Sequence, residues 1–339
     1  MGFTKIVSIL AAMMLLLVIF GGCGSKATGK FTESEVSFQT EDSQLAGTLA
    51  IPEGEGPFPA VIIIGGSGPF DRNGDVDPRS GEALKFSSTY RDIAQALSKE
   101  GFVTLRYDKR GIGNSTGDGG DFPEPSLRDL KAAAAFLKDS LPVDPMRIAL
   151  VGHSLGGLWA LIEAAEDPDI AAICLMATAA KPYGEVLVEQ IEWLVKSQGG
   201  NDTDIAAVVA QQRAIYDQLR SGELDPATMP PSERYQYEFV KAIMDIAGAD
   251  YAKEIKYPAL ILQGEKDLFT VIPQESELLK QAFSEGENQK VKLIIFPNLD
   301  HVFRPTPGQP SGELYYQDRG SIAEDVVATI VDWMKDTLH

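Results

Sequence analysis

"RIALVGHSLGGLWALIEAAE" (residues 147–166) decides the fold. Its first part, through His153, is an apolar, branched run that reads as a buried strand. Its second part, from Leu155, has the spacing of an apolar helix. The two abut at Ser154, which is flanked by Gly152 and Gly156. A strand that enters a helix through Gly-x-Ser-x-Gly lifts the serine hydroxyl clear of a sheet. The pattern alone carries little: with Gly and Ser each at roughly 7% of residues, about one chain in ten of this length contains it by accident. The strand-to-helix context is what makes Ser154 a candidate nucleophile. The glycines allow a tight turn and close helix packing. The helix start directs N–H groups and a positive dipole end toward any anion formed there.

The same alternation extends in both directions. "EVSFQT" (35–40) and "QLAGTLAIP" (44–52) read as an antiparallel pair, and "FPAVIIIGG" (58–66) as a buried strand ending in glycines. "STYRDIAQALSKEG" (88–101) reads as a helix, "FVTLRYD" (102–108) as a strand and "SLRDLKAAAAFLKDS" (126–140) as a helix. After the centre come the strand "IAAICLMAT" (170–178), a strand within "YPALILQGEKD" (257–267) and the helix "PQESELLKQAF" (273–283). The strand "KVKLIIFPN" (290–298) and the helix "IAEDVVATIVDWMKDTL" (322–338) close the chain. Strands alternating with helices predict an α/β fold, a mostly parallel central sheet with helices on both faces. Residues 35–180 and 257–339 form this core. Residues 181–256 carry only helical patterns and read as a cap insertion over the strands' carboxyl ends, where ligands bind in such sheets. The plain alternative is a helical excursion away from any site.

The chain has 339 residues, 44% hydrophobic and 23% charged, an ordinary globular composition. Its formal net charge of −19 opposes nucleic acid and anionic membrane surfaces as partners. Residues 1–23 read as an export signal: Lys5, the apolar run 6–20, then Gly21-Gly22-Cys23. This segment resembles a bacterial lipoprotein signal, which implies lipidation of Cys23 and a membrane anchor in the cell envelope. Phe20 departs from the leucine usual three residues before that cysteine. An uncleaved anchor and simple secretion are the alternatives. Residues 24–34 read as a polar linker. Cys174, in an apolar run, reads as a small buried hydrophobe.

A serine hydroxyl needs a base to take its proton, usually histidine at neutral pH. The chain has three: His153, His301 and His339. His339 is the last residue. His153 sits inside the turn, with its side chain expected to point away from that of Ser154. His301, in "FPNLDHVF" (296–303), remains as the base. The base needs an acid to fix its tautomer. Asp267 closes the strand "ALILQGEKD" and is the first choice, with Glu265 and Asp300 as alternatives. An oxyanion needs two donors. The Leu155 N–H is one. The second is expected from "GGSGPFDRNGD" (65–75), the N–H of Ser67 with Gly66 as runner-up, unless that loop is a plain Gly-rich turn. This chemistry needs no metal and no organic cofactor.

With strand–"GGSGP"–helix, "YDKRGIGNS", "GHSLGG", "GEKD" and "LDH" in this order, the chain resembles the α/β-hydrolases, in the bacterial esterase and acyl-aminoacyl-peptidase-like branch. The resemblance covers roughly 35–339 apart from the cap. It implies Ser154 as nucleophile, Asp267 as acid and His301 as base. Ile64 stands where the family usually has a histidine before the oxyanion-loop glycines. The implied activity is hydrolysis of small-molecule carboxylic esters through an acyl-enzyme. The alternatives are an exported peptidase cutting amides of short peptides and a non-catalytic binding protein on the same scaffold. No acidic pair that would capture a free amino terminus is recognisable, so esters lead.

Three side features have competing readings. Asp71, Asn73, Asp75, Asp77 and Glu82 are spaced like a calcium loop, but Val76 stands where that loop needs glycine. Arg110 could bind a substrate carboxylate or brace its turn. Tyr183, Trp193 and Phe239 could line an acyl pocket or simply pack.

Overall fold

In the computed structural model, residues 29–84, 88–140, 142–267, 274–308, 310 and 312–339 are described. The expected signal and Cys23 lie outside them. The central strand β3 (Phe58–Ile64) is buried at every position, because both its faces are covered. Successive side chains of a strand point to opposite faces. Ile62 and Ile64 enter one core, with Leu150 and Leu175; Val61 and Ile63 enter the other, with Val151 and Cys174. A strand covered on both faces reads as a continuous apolar run rather than an alternating one. Cys174 is a buried free thiol in the second core.

Three strands flank β3 on one side: β1 (Phe31–Gln39), β2 (Gln44–Pro52) and β4 (Val103–Tyr107). On the other side lie β5 (Val143–His153), β6 (Ile170–Met176), β7 (Ala259–Gly264) and β8 (Val291–Phe296). Among the described residues the sheet order is β1-β2-β4-β3-β5-β6-β7-β8. The first two strand pairings, β1 with β2 and β2 with β4, are antiparallel. All the others are parallel. β1 begins at Phe31, inside the stretch read as a linker. Nine consecutive residue pairs join it to β2. Its polar, exposed sequence is that of an edge strand, where side chains meet water and charges discourage further pairing.

One sheet face is covered by α2 (Pro123–Lys138), α3 (Leu155–Glu166) and α8 (Gln274–Glu285). The other is covered by α1 (Thr89–Lys99) and α9 (Glu324–Leu338). Between β6 and β7 the chain builds α4 (Tyr183–Ser197), α5 (Asp202–Ser221), α6 (Pro231–Ile243) and the short α7 (Gly248–Ala252). The first three enclose a small core of their own, with Val188, Tyr216, Leu219 and Val240. The insertion is stitched at its root. Tyr183 N–H donates to Ile246 O at 3.0 Å, and Ala249 N–H donates to Ala180 O at 2.9 Å. The buried Glu275 carboxylate accepts from the Ala180 N–H at 2.6 Å and the Lys181 N–H at 3.0 Å.

β3 is followed by β4 on one side and, after return of the chain, by β5 on the other. This reversal opens a crevice outside the carboxyl ends of β3 and β5, the place where open α/β sheets bind ligands. The Gly-rich loop after β3 and Ser154 after β5 both lie there.

Candidate active site

Ser154 joins β5 to α3 with φ 54° and ψ −120°, a conformation rare for a residue with a side chain. Space explains how it is tolerated. A Cβ at Gly156 would come 2.4 Å from the Ile64 and Gly65 carbonyl oxygens, and one at Gly152 would come 2.5 Å from the Gly156 oxygen. Only glycine fits either place. Backbone bonds fix the turn: Ser154 N–H donates to Met176 O at 2.8 Å, and Gly157 N–H donates to Ser154 O at 2.9 Å. The Ser154 hydroxyl does not cap α3, as an N-cap serine ordinarily does.

The other loops converge on it. Asp267 lies just after β7 and His301 in the turn after β8. His301 Nδ1 is 2.8 Å from Asp267 Oδ2, and both residues are buried. The two turns can meet because Gly264 lets them close: a Cβ there would fall 2.4 Å from Asp300 O. Gln263 Nε2 also donates to Asp267 Oδ2, at 2.9 Å. The other candidate acids are engaged elsewhere. Asp300 Oδ1 accepts from the N–H groups of Val302 at 3.1 Å and Arg304 at 2.9 Å, which shapes the turn carrying His301. Glu265 Oε2 accepts from the Asn298 N–H at 3.0 Å.

His153 borders the same cavity as Ser154 and His301. Its nitrogens are nonetheless committed: Nδ1 lies 2.9 Å from the Tyr90 hydroxyl and Nε2 lies 2.9 Å from His301 O. Burial, and next the nearby His301, push its pKa down to about 3. It is a neutral bracing residue, not a base.

The Gly-rich loop after β3 comes within contact of Ser154. A Cβ on Gly66 would sit 3.1 Å from Ser154 Cβ. Gly66 N–H donates to the Tyr90 hydroxyl at 2.9 Å, which engages the runner-up oxyanion donor. Ser67 lines the cavity beside Ser154. Leu155 opens α3, so its N–H belongs to the first helical turn, which has no acceptor within the helix.

The cavity holds about 350 Å³ and takes its apolar wall from Phe70, Leu84, Val186, Leu187 and Phe239. Three of these come from the insertion, whose α4 and α6 therefore wall the site. Tyr183 and Phe239 line the cavity; Trp193 does not. The Tyr183 hydroxyl is hydrogen-bonded to the Ser67 side chain, and burial pushes its pKa up to about 12.

The aspartates of the calcium-like loop are engaged by backbone N–H groups and by Arg79. Asp71 Oδ1 accepts from the N–H groups of Asn73 and Asp75, and Asp77 accepts from Arg79 and from the Gly113 N–H. Among the described residues no group of three or more His, Cys, Asp or Glu side chains could hold a metal ion. Arg110 is buried and pairs with Asp129 at 2.7 Å and Asp42 at 2.8 Å, so it braces its turn.

Three groups at the site carried no clear signal in the sequence: Tyr90, Lys109 and Asp121. Lys109 stands inside "YDKRGIGNS", and its ammonium lies 2.8 Å from Gly66 O.

Comparison with known proteins bears on the fold and the family. Esterase EstD of Thermotoga maritima is 29% identical over 304 residues, an alignment covering 88% of this chain and 68% of the relative. The Pyrococcus furiosus esterase Pf2001 superposes with a TM-score of 0.56 at 19% identity, covering 91% of this chain and 92% of that one. The α/β hydrolase GrgF of a Penicillium superposes with a TM-score of 0.57 at 20% identity, covering 91% and 99%. At these identities the two structures speak for the fold. Residues 84–303 match the family described as serine aminopeptidase, S33. The chain belongs to that family of α/β-hydrolases and is a serine hydrolase.

Proposed function

We propose that the chain cleaves carboxylic esters through an acyl-enzyme on Ser154, with His301 as base and Asp267 as the acid that orients it. The observation that carries this is the 2.8 Å bond between His301 Nδ1 and Asp267 Oδ2, beside the cavity that Ser154 lines. Nδ1–H donates to the carboxylate, so the basic lone pair is on Nε2. Nε2 takes the Ser154 proton as Oγ attacks the ester carbonyl carbon. The carbonyl electron pair moves onto oxygen, where the N–H groups of Leu155 and Ser67 receive it. Collapse expels the alcohol, which leaves with the proton from Nε2, and the acyl group stays on Oγ. A water deprotonated by Nε2 then attacks the acyl carbon. The carboxylic acid departs and the proton returns to Oγ.

The apolar wall and a volume of about 350 Å³ favour a small apolar acyl group. Esters are favoured over peptides because, among the described residues, the lining includes one carboxylate, the exposed Glu82, and no acidic pair for an amino terminus. The test is a p-nitrophenyl ester series from acetate to palmitate, beside aminoacyl p-nitroanilides. It uses the full chain in detergent. A short-chain ester optimum and negligible anilide turnover are expected. Anilide turnover above ester turnover would make the protein a peptidase.

We also propose export with a lipid on Cys23, from the residue pattern at 5–23. Cells fed labelled palmitate should label the full chain, and Cys23→Ser should abolish the label. An equally labelled Cys23→Ser variant would refute the anchor.

A further inference from the structure

The loop bearing Ser67 is clamped by a lysine that the reaction above does not use. Lys109 follows β4 and is mostly buried. Its ammonium donates to the Gly66 carbonyl oxygen at 2.8 Å and to the Gly68 carbonyl oxygen at 2.7 Å. It also donates to Asp121 Oδ1 at 2.5 Å. The second Asp121 oxygen accepts from the Gly68 N–H at 3.0 Å. An ammonium has three protons, so this set of acceptors engages all of them. A compact ammonium suits two carbonyls two residues apart better than a planar guanidinium does.

Lys109 lies outside the lining of the substrate cavity. It borders instead a space of about 20 Å³ behind the loop, with Gly65, Tyr107 and Trp159. The geometry of the peptide unit then matters. The Gly66 carbonyl and the Ser67 N–H belong to one amide plane, and a trans peptide aims its N–H opposite to its C=O. With the oxygen held on the far side by Lys109, the N–H is turned toward the side that Ser154 occupies. A cation bonded to the carbonyl also polarises the amide and strengthens its N–H as a donor.

We propose that Lys109, backed by Asp121, is a positioning residue of the hydrolysis. It fixes and polarises the Gly66–Ser67 peptide, so that the N–H is set for the oxyanion before substrate arrives. This rests on Ser67 being an oxyanion donor in the function proposed above. It excludes Lys109 as a binder of a substrate carboxylate, because its three protons are engaged and it does not line the cavity.

The test compares the full chain with Lys109→Met, Lys109→Arg, Asp121→Asn and Ser154→Ala. Ester kcat and KM are measured for each. So are the binding of a trifluoromethyl ketone, which adds Ser154 and forms an oxyanion, and of the matching trifluoro-alcohol, which cannot. Lys109→Met should lower kcat about 10²-fold with KM within twofold. It should weaken the ketone by a similar factor and leave the alcohol unchanged. Lys109→Arg should recover part of the loss, and Asp121→Asn should fall between. Equal weakening of ketone and alcohol, or an unchanged kcat, would overturn the proposal and make Lys109 a loop strap. If Lys109→Met does not fold, the same ketone-to-alcohol ratio in Asp121→Asn decides. If the unmutated chain is no more active than Ser154→Ala, the esterase function itself fails. An active chain with an indifferent Lys109→Met defeats the role of Lys109 alone.

Discussion

His153 Nε2 lies 2.9 Å from the main-chain oxygen of His301. A carbonyl only accepts, so Nε2 carries the proton and Nδ1 does not. Nδ1 therefore accepts from the Tyr90 hydroxyl, whose oxygen accepts the Gly66 N–H. One neutral imidazole thus ties the Gly-rich loop after β3 to the turn that holds His301. Protonating Nδ1 would reverse its bond with Tyr90 and force the Tyr90 hydroxyl to turn its hydrogen elsewhere.

This gives a pH signature in stability. The His153 pKa is about 3 in the fold, chiefly through burial, against about 6.5 for an unperturbed histidine. Between those values the unfolded chain binds one more proton. Stability is therefore lost as pH falls below about 6.5, at about 1.4 kcal/mol per pH unit. Urea unfolding of the wild type and His153→Gln from pH 7 to pH 4 reads it out. The stability difference between them should shrink at that slope. A difference independent of pH would mean that His153 titrates alike in both states.

Glu163 acts with the opposite sign. It is buried on α3 and its Oε2 has no hydrogen-bond partner among the described residues. Burial raises its pKa to about 7, a shift that Lys131 opposes. The folded carboxyl keeps its proton where the unfolded one has lost it, so its contribution fades as pH rises from about 4.5 through 7. Glu163→Gln should be more stable than wild type by about 1–3 kcal/mol at pH 8.5 and nearly equal to it at about pH 4. Equal stability at both values would show that the carboxyl finds solvent.

Gly66→Ala tests the approach of the oxyanion loop. The new methyl would lie 3.1 Å from Ser154 Cβ and 3.2 Å from His153 Nδ1. Moving the nucleophile by a fraction of an ångström is expected to cost about 10²-fold in kcat/KM. Circular dichroism should show an intact fold. Full activity in this variant would mean that the loop withdraws during turnover.

The three acids near His301 should separate cleanly. Asp267→Asn is expected to keep the fold and lose about 10⁴ in kcat through the wrong imidazole tautomer. Asp300→Asn should mainly lower the melting temperature, because Asp300 holds the 300–304 turn. Glu265→Gln should change little. A Glu265→Gln loss as large as that of Asp267→Asn would reassign the acid.

Leu187, on α4, lines the cavity. Leu187→Trp adds an indole to that wall and should shift the preferred acyl chain to shorter lengths, read from kcat/KM across the ester series. An unmoved optimum would put the acyl group on another wall.

What the sequence made legible is what leaves a periodic or motif trace. The two-faced burial of β3 is written in "AVIII", and the Ser154 turn in its glycines. Chain order and the small number of histidines pointed to His301. β1 was placed late because an edge strand facing water shows no apolar alternation in "FTES". The end of the strand pointed to Asp267 before Glu265 and Asp300, but which of the three faces His301 depends on side-chain direction, which leaves no trace in sequence. The parts left unread are contacts between distant segments. Lys109 meets Gly66 from 43 residues away, and Tyr90 meets His153 from 63. A lysine in a turn or a tyrosine starting a helix looks the same in sequence whether or not such a contact forms.

The central claim is that Ser154 carries the acyl group. Rapid mixing of the full chain with a p-nitrophenyl ester, followed by acid quench and peptide mass spectrometry, tests it directly. A burst approaching one nitrophenol per chain is predicted, with the acyl mass on the peptide containing Ser154 and neither signal in Ser154→Ala. Undiminished ester turnover in Ser154→Ala, or the acyl mass on a different peptide, would contradict the account.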